Sequence, residues 1–147
     1  MAKFKYRMQN ILDIKIKLES QAKIAYGIAE QAYQQEQLKL QDMMVRRMHY
    51  EKQLKEQMDG IMNLKEINHT KAALDSMKVL IRRQMVEVHK AQKELDRARQ
   101  ALNDVMQEHK MHEKLREKAL DEFKKELLAE ESKSIDGLVS YTYNAKK

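Results

Sequence analysis

The chain has 147 residues, with no proline, three glycines, no cysteine and no tryptophan, and its 29 Lys and Arg against 23 Asp and Glu leave a net charge of +6. The lack of cysteine excludes disulfides and thiolate metal sites, and a mild basic excess with both signs alternating at helical spacing reads as a solvated helix surface rather than a polybasic tail. Apolar residues make up 42% but aromatic ones only 5%, which supplies a narrow stripe and not the bulk of a thick globular core.

The opening Met1-Ala2-Lys3-Phe4-Lys5-Tyr6-Arg7 is basic but leads into alternating Ile and Lys, so it reads as neither a signal peptide nor a spanning segment. The expected compartment is the cytoplasm. From about Met8 to Met58, apolar or small residues recur at Ile11, Leu18, Ala22, Ala25, Ala29, Ala32, Leu40, Met44, Met48, Leu54 and Met58. This near 3,4 alternation predicts one helix with a continuous seam. Lys15, Glu36 or Gln37, Arg47 and Glu51 fall where that seam expects an apolar residue, and would loosen the packing or specify register there. Gly27, among Ala22, Ala25, Ala29 and Ala32, costs about 1 kcal/mol relative to Ala unless another backbone approaches it closely.

Asp59, Gly60, Asn63, Asn68 and Thr70 gather the turn-forming residues, so the chain is expected to reverse over about 59–69, with Thr70 or Asn68 as the N-cap of the next helix. A second helix over about 70–136 follows, with Leu74, Met77, Ile81, Gln84, Val88, Ala91, Leu95, Ala98, Leu102 and Val105 stepping by three and four; Gln84 alone is polar. Beyond Val105 the expected seam positions become His109 and His112, while an apolar row runs through Met111, Leu115, Ala119, Phe123 and Leu127, which predicts a one-residue phase change near His109. Gly137 is the candidate residue just past the helix end, with a frayed tail over 137–147. The expected architecture is all-α: one domain over 1–147, a long antiparallel two-stranded coiled-coil hairpin, drawn out as a rod.

Such a hairpin has no shielded pocket for catalysis, and glycine-rich phosphate loops, G-x-S-x-G and H-E-x-x-H are absent. His109 and His112 lie one turn apart beside Glu108 and Glu113, but the spacing matches no established zinc motif, and solvated or seam histidines are the expected reading. Arg46-Arg47, Arg82-Arg83 and Lys124-Lys125 lack the groove-entering module or stacking platform that nucleic-acid recognition uses. Neither a cofactor, a metal, a nucleic acid nor a small-molecule substrate is expected. Met43, Met44, Met48, Met58 and Met62 near the reversal are expected mainly to fill gaps in a loose core. What remains is a protein that works by binding other proteins.

Phe4-Lys5-Tyr6-Arg7-Met8-Gln9-Asn10-Ile11-Leu12 resembles the start of the flagellar export protein FliJ family, whose pattern is F-x-Y-x-(L/M)-Q-x-(L/I)-L ahead of a long charged helix. Glu113-Lys114-Leu115-Arg116-Glu117-Lys118 and the charged helix running on to Ile135-Asp136 are similar to that family's closing segment. The resemblance implies a coiled-coil component of the flagellar type III export apparatus, cytoplasmic and peripherally associated with the membrane-embedded machinery. It further implies a stalk that enters the hexameric export ATPase with the end bearing both termini, contacts the export gate membrane protein and handles export chaperones. On this chain the ATPase-facing candidates are Phe4, Tyr6, Leu12, Lys15, Lys17, Lys114, Arg116, Lys118, Lys124 and Lys125. The family's gate-contacting row maps onto Ala73, Met77, Leu80 and Gln84, which keeps the i, i+4, i+7, i+11 spacing but replaces its aromatic and its histidine. The stalk of a virulence-type secretion system and an unrelated coiled-coil scaffold are the alternatives.

Overall fold

The computed structural model describes residues 3–145, which form two helices, α1 Gln9–Gln57 and α2 Leu64–Ala145, of 49 and 82 residues. No strand occurs among the described residues. The fold is the all-α helical hairpin that the 3,4 patterning and the scarcity of breakers predict. Packing divides it into two compact units: Met1–Gln21 with Asn103–Lys147, and Ala22–Leu102.

In the unit that holds the turn, Ile67, Thr70, Leu74, Met77, Ile81, Gln84 and Leu95 are buried, a run that steps by three and four along α2. Facing it on α1 are half-buried Ala22, Tyr26, Ala29, Tyr33, Glu36, Leu40, Met43, Arg47, Tyr50, Leu54 and Gln57, which keep the same alternation without a break. Contacts of Arg99 with Tyr26, of Gln84 with Glu36 and of Thr70 with Gln57 step in opposite directions along the two helices, as antiparallel pairing requires. In the unit that holds both chain ends, Leu12 and His112 are buried, and the pairs Lys15–Glu108, Gln9–Arg116 and Phe4–Phe123 carry the same antiparallel order. From Leu128 onward every described residue of α2 is exposed.

The α1 seam differs from the expected one at most positions. Ala22, Ala29, Leu40 and Leu54 are in it, and so are polar Lys15, Glu36 and Arg47. Ile11, Leu18, Ala25, Ala32, Met44, Met48 and Met58 are exposed, and the residues one step away take their place: Leu12, Glu19, Tyr26, Tyr33, Met43, Arg47 and Gln57. Two rows one residue apart compete, and the winning row carries Tyr26, Tyr33 and Tyr50, of which Tyr26 and Tyr33 bury more apolar area than the Ala25 and Ala32 they displace. On α2 the phase change near His109 does not occur, although Ala119, Phe123 and Leu127 of the expected apolar row are half-buried. His109, His112 and Arg116 stay in the seam, while Met111 and Leu115 are 53% and 44% exposed. His109 and Arg116 hold that row because they find partners, Glu19 and Gln9 respectively, whereas the buried Nδ1 of His112 has none.

The reversal is shorter than expected. Asn63 is the cap: its Oδ1 accepts from the Lys65 and Glu66 amides at 3.1 and 3.5 Å, which satisfies donors that the first turn leaves free. Thr70 lies within α2, its hydroxyl 2.8 Å from Gln57 Oε1 and 3.1 Å from the Glu66 carbonyl, so it is a seam residue and not a cap. At the far end α2 continues through Gly137 to Ala145, since Gly137 does not take the positive φ that ends a helix at a C′ glycine. Lys146 and Lys147 of the expected tail lie outside the described residues.

Gly60 does take a positive φ, 84°, just after α1 ends. A Cβ there meets nothing within 4 Å, so Gly60→Ala is strained by backbone conformation alone and is expected to lower stability by about 1 kcal/mol. Gly27 is also open, with nothing within 4 Å, so no close backbone approach explains it. Gly27→Ala is therefore expected to stabilise by about 1 kcal/mol through helix propensity. Urea melts of the two variants, shifted in opposite directions from the parent, check both statements.

Candidate functional site

The unit bearing both chain ends contains all of the sequence-predicted ATPase-facing residues, and the structure sorts them into two groups. Phe4, Leu12, Lys15 and Arg116 are spent inside the hairpin. The Phe4 ring packs on Phe123 with centroids 5.5 Å apart and a 51° tilt, and the Arg116 guanidinium stands 5.6 Å from the same ring. Arg116 also donates to Gln9 Oε1 at 3.1 Å, and Leu12 is 4% exposed. The Lys15 ammonium is 2.6 Å from Glu108 Oε2; this contact first of all, aided by charge attraction, holds the Glu108 carboxyl below its ordinary value against a small opposing desolvation. The F-x-Y pattern thus begins with an aromatic clamp between the N-terminal segment and α2. Tyr6 is half-buried, and its hydroxyl finds no hydrogen-bond partner.

Lys17, Lys114, Lys118, Lys124 and Lys125 form the second group. All five are exposed, and none enters an ion pair among the described residues. They are the members of the predicted set left free to meet a partner, among other exposed charges of both signs on the same unit, such as Lys110, Glu117 and Glu122.

Beyond Lys15 and Glu108 the seam continues as a polar stretch. The Nδ1 of His109 faces the Glu19 carboxylate, and its Nε2 is 2.8 Å from Glu113 Oε1. His112, one turn on, is 9% exposed. Both histidines are turned to packing, and no three His, Asp or Glu side chains stand together as a metal site among the described residues.

The row proposed for the export gate is split by the fold. Met77 and Gln84 are each 7% exposed and belong to the seam, whereas Ala73 is half-buried and Leu80 is 43% exposed on the flank. Gln84 Nε2 reaches Glu36 Oε2 at 2.6 Å and the Glu36 carbonyl at 2.9 Å. That amide, more than neighbouring Lys39, holds the Glu36 carboxyl below its ordinary value, with desolvation opposing. Sequence reasoning found both polar seam positions without pairing them. It missed Tyr26, Tyr33 and Tyr50 as seam residues, although Leu12, Glu19, Tyr26, Tyr33, Leu40, Arg47 and Leu54 repeat at intervals of seven.

Two long helices in antiparallel register, with an aromatic pair between the N-terminal segment and α2, define a helical-hairpin protein. The chain belongs to the FliJ family: the family model described as "Flagellar FliJ protein" matches residues 4–147. It is accordingly a coiled-coil protein associated with type III export. No curated protein sequence matches the chain. Among solved structures, that of a putative YscO homolog, CT670, from Chlamydia trachomatis is similar in fold, with a TM-score of 0.64 and 23% identity over 99% of this chain and 98% of that one. No helix among the described residues is long and apolar enough to cross a membrane.

Proposed function

We propose that this chain is a non-catalytic component of the flagellar type III export apparatus. It binds the hexameric export ATPase through the unit that holds both chain ends, promotes ring assembly and hydrolysis, and couples the ring to the export gate and to export chaperones. The observation that supports this most directly is the family match over 4–147, joined to the free lysines Lys17, Lys114, Lys118, Lys124 and Lys125 on that unit. Phe4, Leu12, Lys15 and Arg116 serve the same role indirectly by holding the two segments together; Tyr6 belongs to the same N-terminal segment and is half-buried. At the gate contact, Ala73 and Leu80 are the accessible members of the row, and Met77 and Gln84 fix the helix that presents them. A virulence-type stalk is the second reading, favoured by the fold shared with the putative YscO homolog; binding to an injectisome ATPase in preference to a flagellar one would select it.

Peripheral charges act mainly on association rate and its salt dependence. Reversing Lys114, Lys118 and Lys125 together to Glu is expected to slow binding to the export ATPase roughly tenfold at low ionic strength, flatten its salt dependence and reduce stimulation of hydrolysis in parallel. Helicity should be unchanged, because all three side chains are exposed. A triple variant that binds and stimulates like the parent removes the basic face from the contact.

A further inference from the structure

Ile11 and Leu18 on α1 and Leu115 on α2 repeat at heptad spacing yet lie outside the seam, 37%, 39% and 44% exposed. Each immediately precedes a seam residue, Leu12, Glu19 and Arg116 respectively, so all three occupy the same heptad position, g. In an antiparallel pair the g positions of the two helices meet on one flank of the seam. Contacts of Gln9 with Arg116 and Lys15 with Glu108 set the register, and place Ile11 within about one turn of Leu115 across the seam. Ile14, 54% exposed, and Met111, 53% exposed, lie one turn from these residues on the same side. Five apolar side chains from both helices therefore line a single groove within the unit that holds both chain ends.

We infer that this groove docks an acidic amphipathic α-helix of another protein, which packs there as the third helix of a local three-helix coiled coil. The spacing selects a helix: steps of three and four on each groove wall offer holes to knobs at helical period, whereas a strand would present side chains at period two. The rim selects its charge. Lys17, Lys114 and Lys118 are exposed beside the groove and enter no ion pair among the described residues, and Glu108, one heptad before Leu115, is already held by Lys15. A second copy of this chain would bring its own Lys17, Lys114 and Lys118 against the same rim, so self-association is opposed by like charge. The groove stands on this geometry alone, and its occupancy is measured without any export ATPase.

The full chain is titrated against a fluorescent synthetic 21-residue helix with Leu at heptad a and d and Glu at e and g, and against its counterpart with Lys at e and g. The acidic helix is expected to bind saturably, and the basic one at least about tenfold more weakly. Leu18→Gln with Leu115→Gln, both at exposed positions, is expected to weaken the acidic helix by roughly tenfold or more without changing the melting temperature. Ile14→Gln with Met111→Gln provides a second pair should the first perturb folding. Absence of saturable binding overturns the inference, as does equal binding of the two helices or retention of binding in both double variants. Sedimentation showing a dimer that the same substitutions dissociate, or anionic vesicles binding where the acidic helix does not, also overturns it by assigning the groove to a different occupant.

Discussion

Leu95→Asp is expected to lower stability by about 3–5 kcal/mol, enough to melt much of the hairpin at 37 °C. Leu95 is 7% exposed and sits midway along the most regular stretch of the α2 seam, between Ala91 and Ala98. Truncating a buried leucine alone costs roughly 2–5 kcal/mol, and a carboxylate placed in an apolar stretch of the seam adds a desolvation cost. Lys93, exposed two residues away, provides the control, since Lys93→Ala changes neither seam nor cap and should be nearly silent. Thermal melts followed by circular dichroism check the pair. An unchanged midpoint for Leu95→Asp would place Leu95 in solvent and reject the register.

The second large effect is expected at Gln84, a polar side chain buried in a row of apolar ones. Gln84→Leu takes from the Glu36 carboxylate its closer donor and leaves it only the Lys39 ammonium at 3.3 Å, so the melting temperature should fall by several degrees even though the new residue is more apolar. Replacing both partners, Glu36→Leu with Gln84→Leu, removes the stranded charge and should restore stability to at least the parent level. The same double change should loosen register, visible as mixed oligomers, because a buried polar pair disfavours slipped alignments. The pair also predicts an acid dependence. Glu36 and Glu108 are both held below the ordinary carboxylate value in the fold, so what they contribute is present at neutral pH and lost as pH falls through their lowered values. Gln84→Leu should flatten Glu36's share of that loss and leave the share due to Glu108.

The hairpin was legible because its determinants are periodic: the α2 row from Leu74 to Val105 lies where the spacing predicts, from buried Leu74 through half-buried Val105. The α1 seam was harder, since two rows one residue apart both satisfy a 3,4 alternation. Alanine and methionine at Ala25, Ala32, Met44 and Met48 outweigh tyrosine when residues are ranked by polarity, but Tyr26, Tyr33 and Tyr50 win when area is buried. The supposed shift at His109 failed for a related reason. A polar residue reads as a gap in the seam until its cross-helix partner is known, and Glu19 and Gln9 are 90 and 107 residues away in the chain. The resemblance identified the family but not the job of each residue: Phe4, Leu12, Lys15 and Arg116 close the hairpin, and only the outer lysines of that set are free.

Purified export ATPase mixed with this chain at a fixed nucleotide concentration tests the functional account most directly. Analytical ultracentrifugation and hydrolysis rates are followed together. The account predicts a saturable rise in hydrolysis, accompanied by a shift of the ATPase from monomer to hexamer that carries the chain with it. An ATPase whose rate and sedimentation do not change at any concentration of the chain would contradict it, and would leave a coiled-coil scaffold that does not act on the ring.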